Sequence, residues 1–183
     1  APADADDGTA AGGGARALVL GSGATACSAL AALAEIGATD LVVAARRHAG
    51  PGRAAAAAHR MGLDVTLLTW NPGDAKSDQT VAEACARADI VVSTLPAGAA
   101  DMLVEPLAAA LDPRGAARAI MLDVVYASWP TPLAATWMAT GRHAVPGWLM
   151  LLHQAVPQVA LMTGLTPPIA PMREALENAV ADR

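Results

Sequence analysis

Two short stretches hold the residue types that could do chemistry. Ala17-Leu18-Val19-Leu20 is apolar and runs into Gly21-Ser22-Gly23-Ala24-Thr25-Ala26. A strand that ends in glycines and opens at once into a helix lets backbone N–H groups approach a phosphate. Gly21 permits the tight turn, Gly23 leaves room for a pyrophosphate, and the small Ala26 lets the helix pack on the strand. The helix start then offers free N–H groups and its positive dipole end to the anion. This is the chemistry of dinucleotide binding. The second stretch, Ala44-Ala45-Arg46-Arg47-His48, ends the next apolar run. A ribose 2′-hydroxyl asks for a carboxylate there. Asp40 precedes that run, at its wrong end, whereas two guanidinium groups suit a 2′-phosphate. The residues therefore favour NADP over NAD, with a pair of solvated surface arginines as the competing reading.

Three further stretches lie where later strands end. Ser93-Thr94-Leu95-Pro96-Ala97-Gly98 is expected beside the middle of the cofactor, because strands one and four flank the crevice in such folds; an ordinary strand-to-helix turn is the alternative. Asp123-Val124-Val125-Tyr126 carries the only tyrosine, either a hydrogen-bonding partner for a polar substrate or a core aromatic. Pro146-Gly147-Trp148 opens a long apolar helix in which Met150 and Gln154 follow. Gly147 allows a backbone to come close. The Gln154 amide would read hydroxyl groups or bond a neighbouring backbone. His48, His59, His143 and His153 have no metal-ligand spacing, so no metal is expected.

These residues need elements to position them. The chain has 183 residues, 54% of them hydrophobic, and a net charge of −5, which disfavours general nucleic-acid binding. Strands are expected near 17–20, 41–45, 64–68, 90–93, 119–123 and 143–145. Helices are expected between them, near 25–36, 53–61, 79–87, 99–111 and 131–139. A long helix at 147–163, kinked or restarted near Pro157, and a last one at 168–181 follow. This alternation implies an α/β fold, a doubly wound parallel six-stranded sheet with helices on both faces. Ala1 to Ala15, acidic and glycine-rich, reads as a flexible lead-in to one domain spanning 16–183. No apolar run is long enough to span a membrane. Cys27 and Cys85 read as buried reduced thiols, consistent with a cytoplasmic protein. The four tryptophans read as packing residues.

In combination and in order, these motifs resemble the cofactor-binding half of shikimate dehydrogenase, over roughly Arg16 to Ala181. The resemblance implies a Rossmann-type domain in which Gly21, Ser22, Gly23, Ala24 and Thr25 hold the pyrophosphate. It puts Arg46, flanked by Ala45 and Arg47, on the 2′-phosphate, although the family usually has Asn-Arg-Thr there. Thr94, Leu95, Pro96 and Met150 would line the cofactor, and Val124 and the Gly147 carbonyl would border its nicotinamide. Tyr126 and Gln154 would touch shikimate. The implied reaction is reduction of 3-dehydroshikimate by NADPH. The family's Lys–Asp pair for proton transfer belongs to an N-terminal substrate domain. Only the lead-in precedes the first strand here, and Lys76, the single lysine, is read as lying in a loop. No catalytic residue is therefore assigned, and the chain is expected to be inactive alone. A quinate-acting paralogue and a non-catalytic NADP-binding module are the other readings.

Overall fold

The computed structural model describes residues 14–112 and 118–181. Most of the lead-in, residues 1–13, lies outside the described residues. Its last residue, Ala15, accepts a hydrogen bond from Thr39 N–H.

Six strands, β1 (Arg16–Leu20), β2 (Asp40–Ala45), β3 (Val65–Thr69), β4 (Ile90–Ser93), β5 (Ile120–Asp123) and β6 (His143–Pro146), form one sheet in the order β3-β2-β1-β4-β5-β6. Every pairing is parallel, with Leu20 opposite Ala44 on one side and Ser93 on the other. The order reverses direction between β1 and β4, which opens a crevice at the carboxyl ends of those two strands.

The strands read as uniform apolar runs because both faces are covered. Within β1, Leu18 and Leu20 join one core cluster while Ala17 and Val19 join the other. The first cluster packs on α3 (Ala75–Arg87), α4 (Val104–Ala110) and α5 (Pro132–Met138), through Val81, Leu107 and Trp137. The second packs on α1 (Ala24–Glu35) and α2 (Ala54–Met61), through Ala26, Leu30, Leu33 and Ala58. The 26, 30, 33 spacing is one stripe of α1.

Three expectations need correction. α3 starts four residues before the predicted 79, because the Asp74 carboxylate accepts from Ser77 N–H at 2.8 Å and caps the helix. Lys76 is therefore on a helix, not in a loop. The helix expected from 99 begins as a 3-10 turn at Asp101–Leu103, and α4 takes over only at Val104, with Pro106 in its first turn. Finally, α6 (Gly147–Thr163) runs through Pro157 as one helix. Pro157 and the carbonyl it leaves unpaired, at His153, lie on exposed residues where water can replace the missing donor.

α6 and α7 (Ile169–Ala181) lean on each other, joined in part by Arg173 over the Trp148 ring at 6.0 Å. Among the described residues no helix is long and apolar enough to cross a membrane.

Candidate functional site

Gly21 turns the chain out of β1 with φ +105°, a conformation that disfavours side chains. Its N–H donates to Ala44 O at 2.8 Å. The Thr94 hydroxyl donates to Leu20 O at 2.7 Å and occupies the space a Cβ on Gly21 would need. The glycine thus answers to a backbone angle and to a neighbour at once. Gly23 caps α1 with no side-chain hydrogen bond, and a Cβ there would meet nothing within 4 Å. Ala24 and Thr25 follow, exposed in the first turn of α1. Ala26 is fully buried, as the close helix–strand packing requires.

Ser22 ties this turn to the segment after β2. Its hydroxyl donates to Arg47 O at 2.7 Å, and its carbonyl accepts from Ala54 N–H, the first residue of α2. The loop that carries Arg46 and Arg47 is therefore held against the glycine turn. Both arginines are exposed and both line a cleft of about 510 Å³ at the sheet's carboxyl edge. Gly21, Ser22, Gly23, Ala45, Thr94 and Leu95 line the same cleft.

Two residues of that cleft went unnoticed as site residues in the sequence. Arg53, just before α2, lines it and approaches the Ser22 hydroxyl with Nη1 at 3.4 Å. It brings a third guanidinium to one volume. Its signal was weak: a single arginine six residues past Arg47, beyond a Gly-Pro-Gly turn. Trp70, read only as packing, is 2% exposed yet also forms part of the wall. His48 does not line the cleft; both ring nitrogens are shut off from solvent and unpartnered.

Leu95 also borders a second cleft, of about 350 Å³, with Pro96, Val124 and Tyr126. Tyr126 is 42% exposed, so it is not the core aromatic of the alternative reading. The β5 end is stiffened by Asp123, a buried carboxylate that accepts from the Thr131 hydroxyl at 2.7 Å and from Val125 N–H at 3.2 Å. Gly147 is buried at the start of α6 and donates to Val125 O at 3.2 Å; a Cβ on it would run into the Val124 carbonyl. Met150 is half-buried one turn on, and Gln154 is exposed a turn further. Neither lines these two clefts. The fold thus brings the glycine turn, the arginines and Tyr126 to one edge, and leaves Met150 and Gln154 outside the concavities.

Charge at the other end of the sheet is paired. Asp40 sits at the amino end of β2 and holds Arg16 Nε at 2.6 Å, which favours the charged guanidinium further. Burial pushes the Cys85 thiol up to about 12. Cys27 differs from the expectation of a buried thiol: it is half-buried, its Sγ 3.6 Å from Gly52 O.

A cleft of this size with glycine-exposed backbone N–H groups and three guanidiniums fits an anionic, phosphate-bearing ligand lying across the strand ends. Residues 147–177 match the family described as Shikimate 5'-dehydrogenase C-terminal domain. The shikimate dehydrogenase (NADP(+)) of Acidiphilium cryptum is 38% identical over 167 residues, 90% of this chain and 52% of that protein. The chain thus spans about half the length of the curated relatives it matches. Among solved structures, Mycobacterium tuberculosis shikimate dehydrogenase aligns with TM-score 0.70 and 39% identity, covering 90% of this chain and 57% of that one. The Thermus thermophilus shikimate 5-dehydrogenase in complex with NADP(H) and shikimate aligns with TM-score 0.63 and 27% identity, covering 91% and 56%.

Proposed function

From the premise that this chain belongs with the C-terminal domains of the shikimate dehydrogenase family, we propose that it is the NADP(H)-binding part of such an enzyme, serving reduction of 3-dehydroshikimate to shikimate. The single observation that carries this reading is the cleft in which the Gly21–Gly23 turn faces Arg46, Arg47 and Arg53. Backbone N–H groups at Ser22 to Thr25 would hold the pyrophosphate, with the α1 dipole behind them. Arg46 and Arg47 would grip the 2′-phosphate, and Arg53 stands close enough to share it or to face the pyrophosphate. Thr94, Leu95 and Pro96 form the wall between the two clefts, where the middle of the cofactor would lie.

When bound, the reduced nicotinamide supplies the hydride. The protein's part at that end is placement. Val124 and Gly147, packed backbone to backbone, would border the nicotinamide, and Met150 would be a further cofactor contact from α6. Tyr126, exposed at the rim, presents a phenol that can donate to or accept from a substrate hydroxyl. Gln154 would join it only if the substrate lies across the exposed face of α6. A site that hydrogen-bonds a hydroxyl rejects analogues lacking it far more strongly than an apolar pocket can. Proton transfer is assigned to no residue of this chain. The family resemblance puts it on a Lys–Asp pair of the substrate-binding half. The stretch from Arg16 onward acts as one cofactor-binding unit, and a cytoplasmic location accords with its free thiols.

Calorimetric titration tests this. NADPH should bind more tightly than NADH, and Arg46→Ala or Arg53→Ala should each cost about 1.5–3 kcal/mol toward NADPH, the range for a hydrogen bond to a charged group. Neither variant should weaken NADH as much. Equal affinity for the two coenzymes would refute the 2′-phosphate assignment. The chain assayed alone with NADPH and 3-dehydroshikimate should show no turnover.

A further inference from the structure

The loop that displays Tyr126 is closed at its base by a side-chain pair that the cofactor reading does not use. Asp123 ends β5 and Thr131 precedes α5, eight positions further along the chain. The Thr131 hydroxyl donates to Asp123 Oδ2 at 2.7 Å, and both residues are buried, at 2% and 7% exposure. The other carboxylate oxygen, Oδ1, accepts from Val125 N–H at 3.2 Å, inside the loop. Thr131 Oγ1 in turn accepts from Ala134 N–H at 3.2 Å, so the same hydroxyl caps α5. One carboxylate thus joins a strand end, the start of a loop and the start of a helix. Taking it out of water costs desolvation, so both donors must stay in place.

Residues 124–130 are anchored from other sides as well. Val124 N–H donates to Ser93 O at 3.0 Å, and Gly147 N–H donates to Val125 O at 3.2 Å. Trp129 packs against the core cluster that α3, α4 and α5 cover. Ser128 has φ of +59°, which a residue with a side chain keeps only where its surroundings fix it. Between these anchors Tyr126 stands 42% exposed on the second cleft, next to Val124 and Val125. Neither Asp123 nor Thr131 lines the cleft of the glycine turn and the arginines. Phosphate contacts made there do not depend on this pair.

We propose that Asp123 and Thr131 are positioning residues: their bond sets the 124–130 loop so that Val124 meets the nicotinamide end of the cofactor and Tyr126 meets the substrate. This rests on the cofactor reading above. A loop that is ordered before the ligand arrives loses no further entropy on binding, so the pair adds affinity at that end without touching either ligand.

The test uses the full chain, in which Tyr126 is the only tyrosine. Labelling with 3-fluorotyrosine therefore gives a single fluorine resonance that reports on this loop. Calorimetry follows NADPH and, separately, adenosine 2′,5′-bisphosphate, which carries the adenosine and 2′-phosphate without the nicotinamide. The wild type should show one narrow line and bind both ligands. Asp123→Ala and Thr131→Val should each broaden or split the line and weaken NADPH about tenfold, with less than about a twofold effect on the bisphosphate. Asp123→Asn can still accept from Val125 N–H and can donate to Thr131 Oγ1, and Thr131→Ser keeps the hydroxyl. Both should keep the line narrow and hold NADPH within about threefold of the wild type. A pair that merely supports the fold predicts a lowered melting temperature with the line unchanged and the two ligands affected alike, and that result overturns the positioning role. Thr131→Val decides the matter if Asp123→Ala does not fold, and the line shape of the free chain is read without any ligand. If the wild type binds neither ligand, the cofactor reading falls and this inference with it. If the wild type binds both and the variants weaken both equally, only the inference falls.

Discussion

Replacing Gly21 by alanine perturbs two constraints that the structure separates. The first is the backbone: φ of +105° costs a side-chain-bearing residue about 1–3 kcal/mol. The second is the neighbour. The new methyl falls on the Thr94 hydroxyl, which must leave its bond to Leu20 O, at a cost of about 1 kcal/mol. Gly21→Ala should therefore lose about 2–4 kcal/mol of unfolding free energy. Thr94→Ala alone should lose about 1 kcal/mol, the same hydroxyl bond. In the double variant that bond is lost only once, so the two effects should fall short of their sum by about 1 kcal/mol. Urea unfolding followed by tryptophan emission measures this, since Trp70 and Trp137 are buried. The m-value should stay constant across the cycle. Strict additivity within about 0.5 kcal/mol would mean that Thr94 does not meet residue 21, and the geometry argued for the glycine turn would be wrong.

Two further perturbations test other parts of the molecule. Gly147→Ala drives a methyl into the Val124 carbonyl, backbone against backbone with no side chain to yield, so a loss of at least about 2 kcal/mol is expected, read as a lowered melting temperature. Unchanged stability would show that α6 is not seated on the β5 loop. Burial raises the Cys85 thiol from its ordinary 9.0 to about 12 in the folded chain. Above pH 9 the unfolded chain then holds fewer protons than the folded one, so this contribution is intact below that pH and is lost as pH rises toward 12. The stability should fall by at most about 1.4 kcal/mol per pH unit across that window, and Cys85→Ala should remove this part of the slope. Alkylation of the native chain should label Cys27 well before Cys85.

Much of this was legible in the residue order. The glycine turn announced itself because its geometry is local: a strand, a tight turn and a helix start adjoin in sequence. The parallel sheet followed from six short apolar runs separated by helical stretches, since strands covered on both faces have no polar alternation. Arg46 and Arg47 were readable from their place just after β2. Asp40, expected at the wrong end of its strand, lies at that end and is paired there with Arg16.

Other features depended on chain segments far apart in sequence. Arg53 joins the cleft only because Ser22 accepts from the α2 start and fixes the intervening loop. Trp70 looked like any buried aromatic until the sheet order put β3 beside β2 and the residue after β3 against the cleft. The Thr94 hydroxyl under Gly21 and the Val124 carbonyl against Gly147 are contacts between strand ends that no local pattern encodes. Met150 and Gln154 show the converse. Helical spacing placed them on α6 correctly, but which side of that helix faces a cleft is settled by packing, and both lie outside the two clefts. Local backbone chemistry, which acts between neighbours in the chain, was thus determined by the sequence. Which side chains share one volume was decided by the tertiary structure, because it is the crossing of the strands that brings them together.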